Sequence, residues 1–145
     1  MKIVLDSNVL FSALIRDSTT RKFILEYDDS FLFPSYILDE MEEHKEELMI
    51  KSKMSKEDFD KLLELLLKRV FFVPKESLKA HDEEAVEIVK DIDKDDAVFV
   101  ACALAYPESI IWSDDKKLTK QNRVKVIGTS EMMTLLKNLK TNLSQ

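Results

Sequence analysis

Glycine occurs once in the 145-residue sequence, as Gly128, so the chain can build neither the glycine-rich turn of a dinucleotide site nor a P-loop. Any phosphate must be held by other means. Cysteine is just as scarce. Cys102 stands alone in the apolar run Val98-Phe99-Val100-Ala101-Cys102-Ala103-Leu104, which excludes a disulfide framework and a thiolate zinc site and points to a reducing, cytoplasmic setting. No apolar stretch could span a bilayer, and Met1-Lys2-Ile3-Val4-Leu5 enters a strand-like run without an export signal, so no membrane association is expected. Repeats, low-complexity segments and Pro/Gly/Ser-rich linkers are missing too. With 45% hydrophobic content, residues 1–145 are expected to form a single domain.

The formal charge of −6 argues at first against a polyanionic substrate. Placement decides the matter. If five of the 28 acidic residues share one metal-binding pocket, 23 remain against 22 Lys and Arg, and the rest of the surface is close to neutral. Five basic residues, Lys116, Lys117, Lys120, Arg123 and Lys125, are grouped in sequence and could hold phosphates, and Arg16, Arg21 and Lys22 form a second group. Such groups are more often ordinary surface. Glu40 and His44 have the spacing of a metal pair on one helix face, but with only two histidines in the chain that signal is weak.

Short apolar runs at 3–5, 31–33, 70–73, 110–112 and 124–127 read as buried parallel strands, separated by segments of helical periodicity. The clearest helix covers 55–69. Ser55 and Asp58 form a capping-box pattern there, and Phe59, Leu62, Leu63, Leu66 and Val70 recur at helical spacing. A helix over 77–89 carries Leu78, Ala85, Val86 and Val89. Pro34-Ser35 opens another, with Tyr36, Ile37, Leu38 and Met41 on its apolar side, and a terminal helix begins near Ser130. The leucines from Leu62 to Leu67 exceed what one core face needs, which predicts a homodimer or a partner helix on that side. The economical architecture is a three-layer α/β/α fold, a five-stranded mostly parallel sheet flanked by helices.

Ligands of open parallel sheets gather beyond the carboxyl ends of the strands. Acids stand there in this sequence. Asp6 follows 3–5 and Asp114-Asp115 follow 110–112; Glu40 lies in the helix after the second strand, and Asp96 opens the apolar helix 97–105. Several carboxylates in one pocket repel one another unless a cation joins them, and oxygen-only ligation suits Mg²⁺ or Mn²⁺. Phosphodiester hydrolysis is the natural chemistry of such a site.

Four segments carry a family resemblance. Ile3-Val4-Leu5-Asp6-Ser7-Asn8, Pro34-Ser35-Tyr36-Ile37-Leu38-Asp39-Glu40-Met41, Asp95-Asp96-Ala97-Val98-Phe99-Val100-Ala101 and Trp112-Ser113-Asp114-Asp115 occur in the order seen in PIN-domain ribonucleases, which the chain resembles nearly end to end. Ser7 and Ser113 stand where threonine is frequent in that family. The resemblance implies Asp6, Glu40, Asp96 and Asp115 as catalytic metal ligands for Mg²⁺ or Mn²⁺, with Asp114 as an auxiliary ligand. It implies Ser7, Asn8 and Ser113 as orienting groups and single-stranded RNA as substrate; apart from the resemblance, the grouping of basic charge makes Lys116, Lys117, Lys120, Arg123 and Arg16 weak candidates for RNA contact. Because the family includes toxins of toxin–antitoxin pairs, an antitoxin protein is a further implied partner.

Plainer readings compete at each point. Asp6-Ser7-Asn8 has the composition of an N-cap, although a cap needs only one such residue. Asp93, Asp95 and Asp96 suit a helix N-terminus without any chemistry. Glu40 belongs to an acidic run typical of a solvated helix face, and Asp114-Asp115-Lys116-Lys117 has the makings of a turn. Two other functions remain open: a PIN-like protein that binds or scaffolds RNA without cutting it, and an aspartyl-phosphate phosphatase using Asp6. The second would normally show Asp where Asn8 stands.

Overall fold

In the computed structural model, which describes residues 1–143, the chain opens with β1 (Ile3–Leu5), α1 (Ser7–Ile15), α2 (Thr19–Glu26) and β2 (Phe31–Pro34). Five helices and a strand follow: α3 (Ile37–Glu43), α4 (Lys45–Ser52), α5 (Lys56–Leu67), β3 (Val70–Val73), α6 (Lys75–Lys79) and α7 (Asp82–Val89), the strand lying between α5 and α6. The remainder is α8 (Ala97–Ala105), β4 (Ile110–Trp112), β5 (Val126–Ile127) and α9 (Thr129–Leu143), with short 3-10 turns at Lys94–Asp96 and Lys116–Lys120.

The five strands form one parallel sheet in the order β3-β2-β1-β4-β5. Apolar character tracks position in it. The inner strands β1, β2 and β4 are buried at every residue, as strands covered on both faces must be. The edge strand β3 buries Val70 and Val73 while Phe71 stays exposed. Three strands coincide with the apolar runs residue for residue, and β2 extends one residue further, to Pro34. The fifth starts at Val126 rather than at 124, because Oε1 of Gln121 accepts from the amides of Arg123 and Val124, both at 3.0 Å, and holds that stretch in a turn.

Helices α6, α7 and α8 pack together, with α8 lying against β1, β2 and β4, while α1, α2, α4 and α5 form a second group. The nearly all-apolar sequence of α8 follows from its place between the sheet and α7. Phe99 meets Phe33 of β2 with ring centroids 6.1 Å apart, and burial pushes the Cys102 thiol up to about 12, which makes it an inert packing group. No helix among the described residues is long and apolar enough to cross a membrane.

Two helical expectations need correction. The segment 77–89 is two helices, α6 and α7, broken at Ala80-His81; Leu78 and Ala85 are seven residues apart, two full turns, so the apolar spacing passes over the break unmarked. Tyr36 precedes α3 and is exposed, leaving Ile37 and Met41 as the buried residues there. The α5 reading holds at its start, where Ser55 Oγ accepts from the Asp58 amide at 3.1 Å. Its leucines are less available than expected: Leu62, Leu63 and Leu66 are buried in the chain's own core and Leu65 is the one fully turned out, at 52% exposure.

This division of α5 predicts that Leu66→Ala costs about 2–5 kcal/mol, whereas Leu65→Ala stays within about 0.5 kcal/mol. Urea unfolding of the two variants would measure both, and equal losses would contradict the described packing.

Candidate active site

The strand order places a switch point between β1 and β4: the chain builds outward from β1 to β3, then returns to lay β4 on the other side of β1. A crevice opens at the carboxyl ends of two such strands. Leu5 lies beside Trp112, and the Asp6 amide donates to the Trp112 carbonyl at 3.1 Å, so the pairing runs to the rim of the sheet. The residues just beyond are the acidic ones.

Ser113 joins the two strand ends. Its Oγ donates to Oδ2 of Asp6 at 2.7 Å and accepts from the Asp115 amide at 3.1 Å. One hydroxyl thus fixes the Asp6 carboxylate and the turn that carries Asp115. Although Asp6 occupies the N-cap position of α1, its side chain makes no capping bond. It is buried, at 7% exposure, and burial raises its pKa, with Asp115 adding to the rise and the Ser113 hydroxyl and the amides of Asn8 and Ser7 opposing it.

A cleft of about 510 Å³ lies here, and Asp6, Glu40, Asp96 and Asp115 all line it, as do Ser7 and Asn8. The four principal acids of the sequence reading therefore share one cavity. They are not equivalent within it, for Asp96 is buried, Asp115 half-buried and Glu40 exposed. Asp93, which looked like a helix-end acid in the sequence, belongs to the same cleft. One carboxylate oxygen from each of Asp93, Asp96 and Asp115 lies within 4.8 Å of the others. The 3-10 turn Lys94–Asp96 explains this, since side chains three residues apart eclipse at three residues per turn. Asp93 also keeps a capping role, its Oδ1 accepting from the Asp95 amide at 3.0 Å. The i,i+3 spacing of Asp93 and Asp96 was the available sequence signal, readable only once a 3-10 turn is assumed.

Asp96 shows what the cluster needs. Its Oδ2 is buried without a hydrogen-bond partner, and burial, followed by repulsion from Asp6, Asp115, Asp93 and Asp95, lifts its pKa to about 7. A buried acceptor without a donor, amid converging carboxylate oxygens, fits a hard divalent cation with oxygen ligands.

Other candidates stand apart. Both oxygens of Asp114 are taken by Thr129, one accepting from its amide at 2.7 Å and the other from its hydroxyl at 2.6 Å. The Thr129 hydroxyl in turn accepts from Trp112 Nε1 at 3.0 Å. Asp114 thereby ties the β4 end to the start of α9, and Gly128 leaves its carboxylate room, since a Cβ there would lie 3.1 Å from Asp114 Oδ1. Lys116, Lys117 and Lys120 are exposed on the turn after Asp115, with the Lys117 amide donating to Asp115 Oδ1 at 3.0 Å. Arg123 pairs with Glu84 of α7. Arg16 is exposed at the end of α1, whereas Arg21 donates to the carbonyls of Ala13 and Leu14 at 2.7 and 3.2 Å and so closes that helix end. His44 lies within 3.6 Å of Glu47 and does not line the cleft.

The sequence matches the PIN domain family over residues 4–137. A similar solved structure is VapBC2 from Rickettsia felis bound to a DNA fragment from their promoter, with a TM-score of 0.64 and 17% identity, covering 88% of this chain and 98% of that one. At that identity the likeness is one of fold. No curated protein matches the chain.

Two measurements follow from this geometry. Asp96 and Asp6 hold their protons more tightly folded than unfolded, so in the metal-free protein these two groups cost no stability on the acid side and an increasing amount as pH rises from 3.8 through about 7. Asp96→Asn should therefore stabilise the metal-free protein by on the order of 2 kcal/mol at about pH 8 and hardly at all near pH 4, and thermal melts without divalent ions would show it. Asp114→Ala and Thr129→Val should each cost about 1–2 kcal/mol of stability while calorimetry still detects Mn²⁺ binding; loss of the ion from Asp114→Ala alone would mark Asp114 as a ligand.

Proposed function

The chain belongs to the PIN-domain family, a family of nucleases, and on that premise we propose that it is a metal-dependent endoribonuclease that hydrolyses phosphodiester bonds of single-stranded RNA. The observation that supports the reading is one cleft lined by carboxylates from four separate segments, in which oxygens of Asp93, Asp96 and Asp115 lie within 4.8 Å of one another and a buried Asp96 oxygen has no hydrogen-bond partner.

Asp6, Asp96, Asp115 and Glu40 would hold Mg²⁺ or Mn²⁺, with Asp93 beside them. A divalent ion in such a site activates water and offsets charge on the scissile phosphate. The residues of the chain prepare this in distinct ways. Ser113 fixes one Asp6 oxygen at the rim of the cleft. Asp115 is held from two sides, its amide donating to Ser113 and its Oδ1 accepting from Lys117. With its pKa raised to about 7, Asp96 is partly protonated at neutrality, so binding of a cation there would release protons. Lys116, Lys117 and Lys120, exposed next to Asp115, draw the RNA backbone toward an otherwise acidic opening.

The partners proposed with this activity are an antitoxin protein and a second copy of the chain. The first draws on the fold shared with VapBC2, and the second on the exposed Leu65 and Phe71 of α5 and β3. A cytoplasmic location accords with a lone cysteine and with the absence of a membrane-spanning helix among the described residues.

The wild-type protein is expected to cleave single-stranded RNA when Mn²⁺ or Mg²⁺ is supplied and to stop when the ion is chelated. Asp6→Asn should lower the rate at least about 10²-fold, on the scale of lost electrostatic stabilisation, with an unchanged fold by circular dichroism. If calorimetry finds no divalent ion bound and no RNA is cut, the protein is an RNA-binding or scaffolding member of the fold and the enzymatic reading fails.

A further inference from the structure

The cleft that gathers the carboxylates also has an uncharged part. Tyr36 and Ile37 from the start of α3, and Ala97, Val98 and Phe99 from the first turn of α8, line the same cavity as Asp6 and Asp96. Within this part Tyr36 is distinct. Ile37 and Phe99 are buried in the core, whereas Tyr36 is 42% exposed.

An exposed aromatic ring leaves apolar surface in water that its neighbours in the sequence have hidden. Neither of the nearby acids anchors its hydroxyl: Glu40 and Asp82 act on Tyr36 through their charge and form no hydrogen bond to it. Tyr36 is therefore a partly exposed aromatic residue in the lining of a cleft that also holds Asp6, Glu40, Asp93, Asp95, Asp96 and Asp115.

A nucleotide has the same two-part character, an anionic phosphate and a flat base. The acidic part of the cleft suits the phosphate only through a cation, while an aromatic face suits a base of any identity, because each has a π-face. A volume of about 510 Å³ falls in the range, roughly 300–1,000 Å³, of pockets that enclose ligands of small-molecule size.

Resting on the nuclease reading above, we propose that Tyr36 is a stacking platform for the nucleobase next to the scissile phosphate. A base must be unpaired and unstacked to lie on it, so the same ring selects single strands over duplexes. Tyr36 then acts on substrate binding and register, and the chemistry belongs to the carboxylates.

The experiment compares cleavage of a single-stranded oligoribonucleotide, whose cut is first mapped with the wild-type protein and Mn²⁺, by the wild type, Tyr36→Phe and Tyr36→Ala. The ring alone should suffice. Tyr36→Phe is expected to keep the wild-type KM, and Tyr36→Ala to raise it about tenfold with a much smaller change in kcat. A second measurement needs no variant: removing the base beside the cut from the oligonucleotide should raise the wild-type KM by a similar factor and leave Tyr36→Ala little affected. Cleavage with a KM indifferent to both changes, or a Tyr36→Phe as impaired as Tyr36→Ala, overturns the stacking role while leaving the nuclease intact. A wild type that cuts no RNA removes both.

Discussion

The parallel pairing of β1 with β4 is the constraint on which the site depends. Leu5 and Trp112 are neighbours across the sheet although more than a hundred residues separate them in the chain. Everything at the rim follows from that contact. The Ser113 hydroxyl bridges to Asp6 because the two strands end level with each other, and Asp115 arrives two residues later in a turn held by the same hydroxyl. Were β4 to join the free edge of β3 instead, as sequential order would suggest, Asp6 and Asp115 would lie on opposite sides of the sheet.

Around this pairing the chain accepts a local electrostatic conflict. Asp6 and Asp96 are both buried, and each acts with Asp115 to raise the proton affinity of the cleft. Like charges in low dielectric destabilise a fold; the Ser113 hydroxyl and the amides of Asn8 and Ser7 oppose this at Asp6 only in part, and the lysines after Asp115 are exposed rather than folded into the cleft. Core burial elsewhere must offset that cost. The inner strands and α8 do so, giving a continuous apolar layer under the cleft in which Phe33 and Phe99 meet. Apolar packing beneath and crowded acids above are two sides of one arrangement.

Much of this was legible in the sequence where one rule governed a residue. Strands buried on both faces are apolar throughout, so Ile3–Leu5 and Ile110–Trp112 could be read to the residue, and the edge strand Val70–Val73 was legible because it is apolar as well. The acids after β1 and β4 stood out because strand ends in open sheets are where ligands gather. The rest required geometry with no signature in composition or period. The break between α6 and α7 preserves helical phase, so apolar spacing hides it. Asp93 joins the cluster through a 3-10 turn that its sequence does not announce, and it caps that turn as well. Tyr36 fits the apolar side of α3 by spacing, yet it precedes the first helical turn and faces out. Asp114 is the instructive opposite: adjacent to Asp115 and chemically identical, it turns toward Thr129 because neighbours along an extended segment point to opposite sides.

The bond between Asp6 and Ser113 has a further consequence in time. A chain made from its N-terminus presents β1, α1 and β2 early, but the partner that completes the cleft emerges only when residues 113–115 of 145 have left the machinery of synthesis. Until then Asp6 lacks both its hydroxyl donor and the opposing acid. A chain that stops short of Ser113 therefore has the first strand and its acid but no completed cleft.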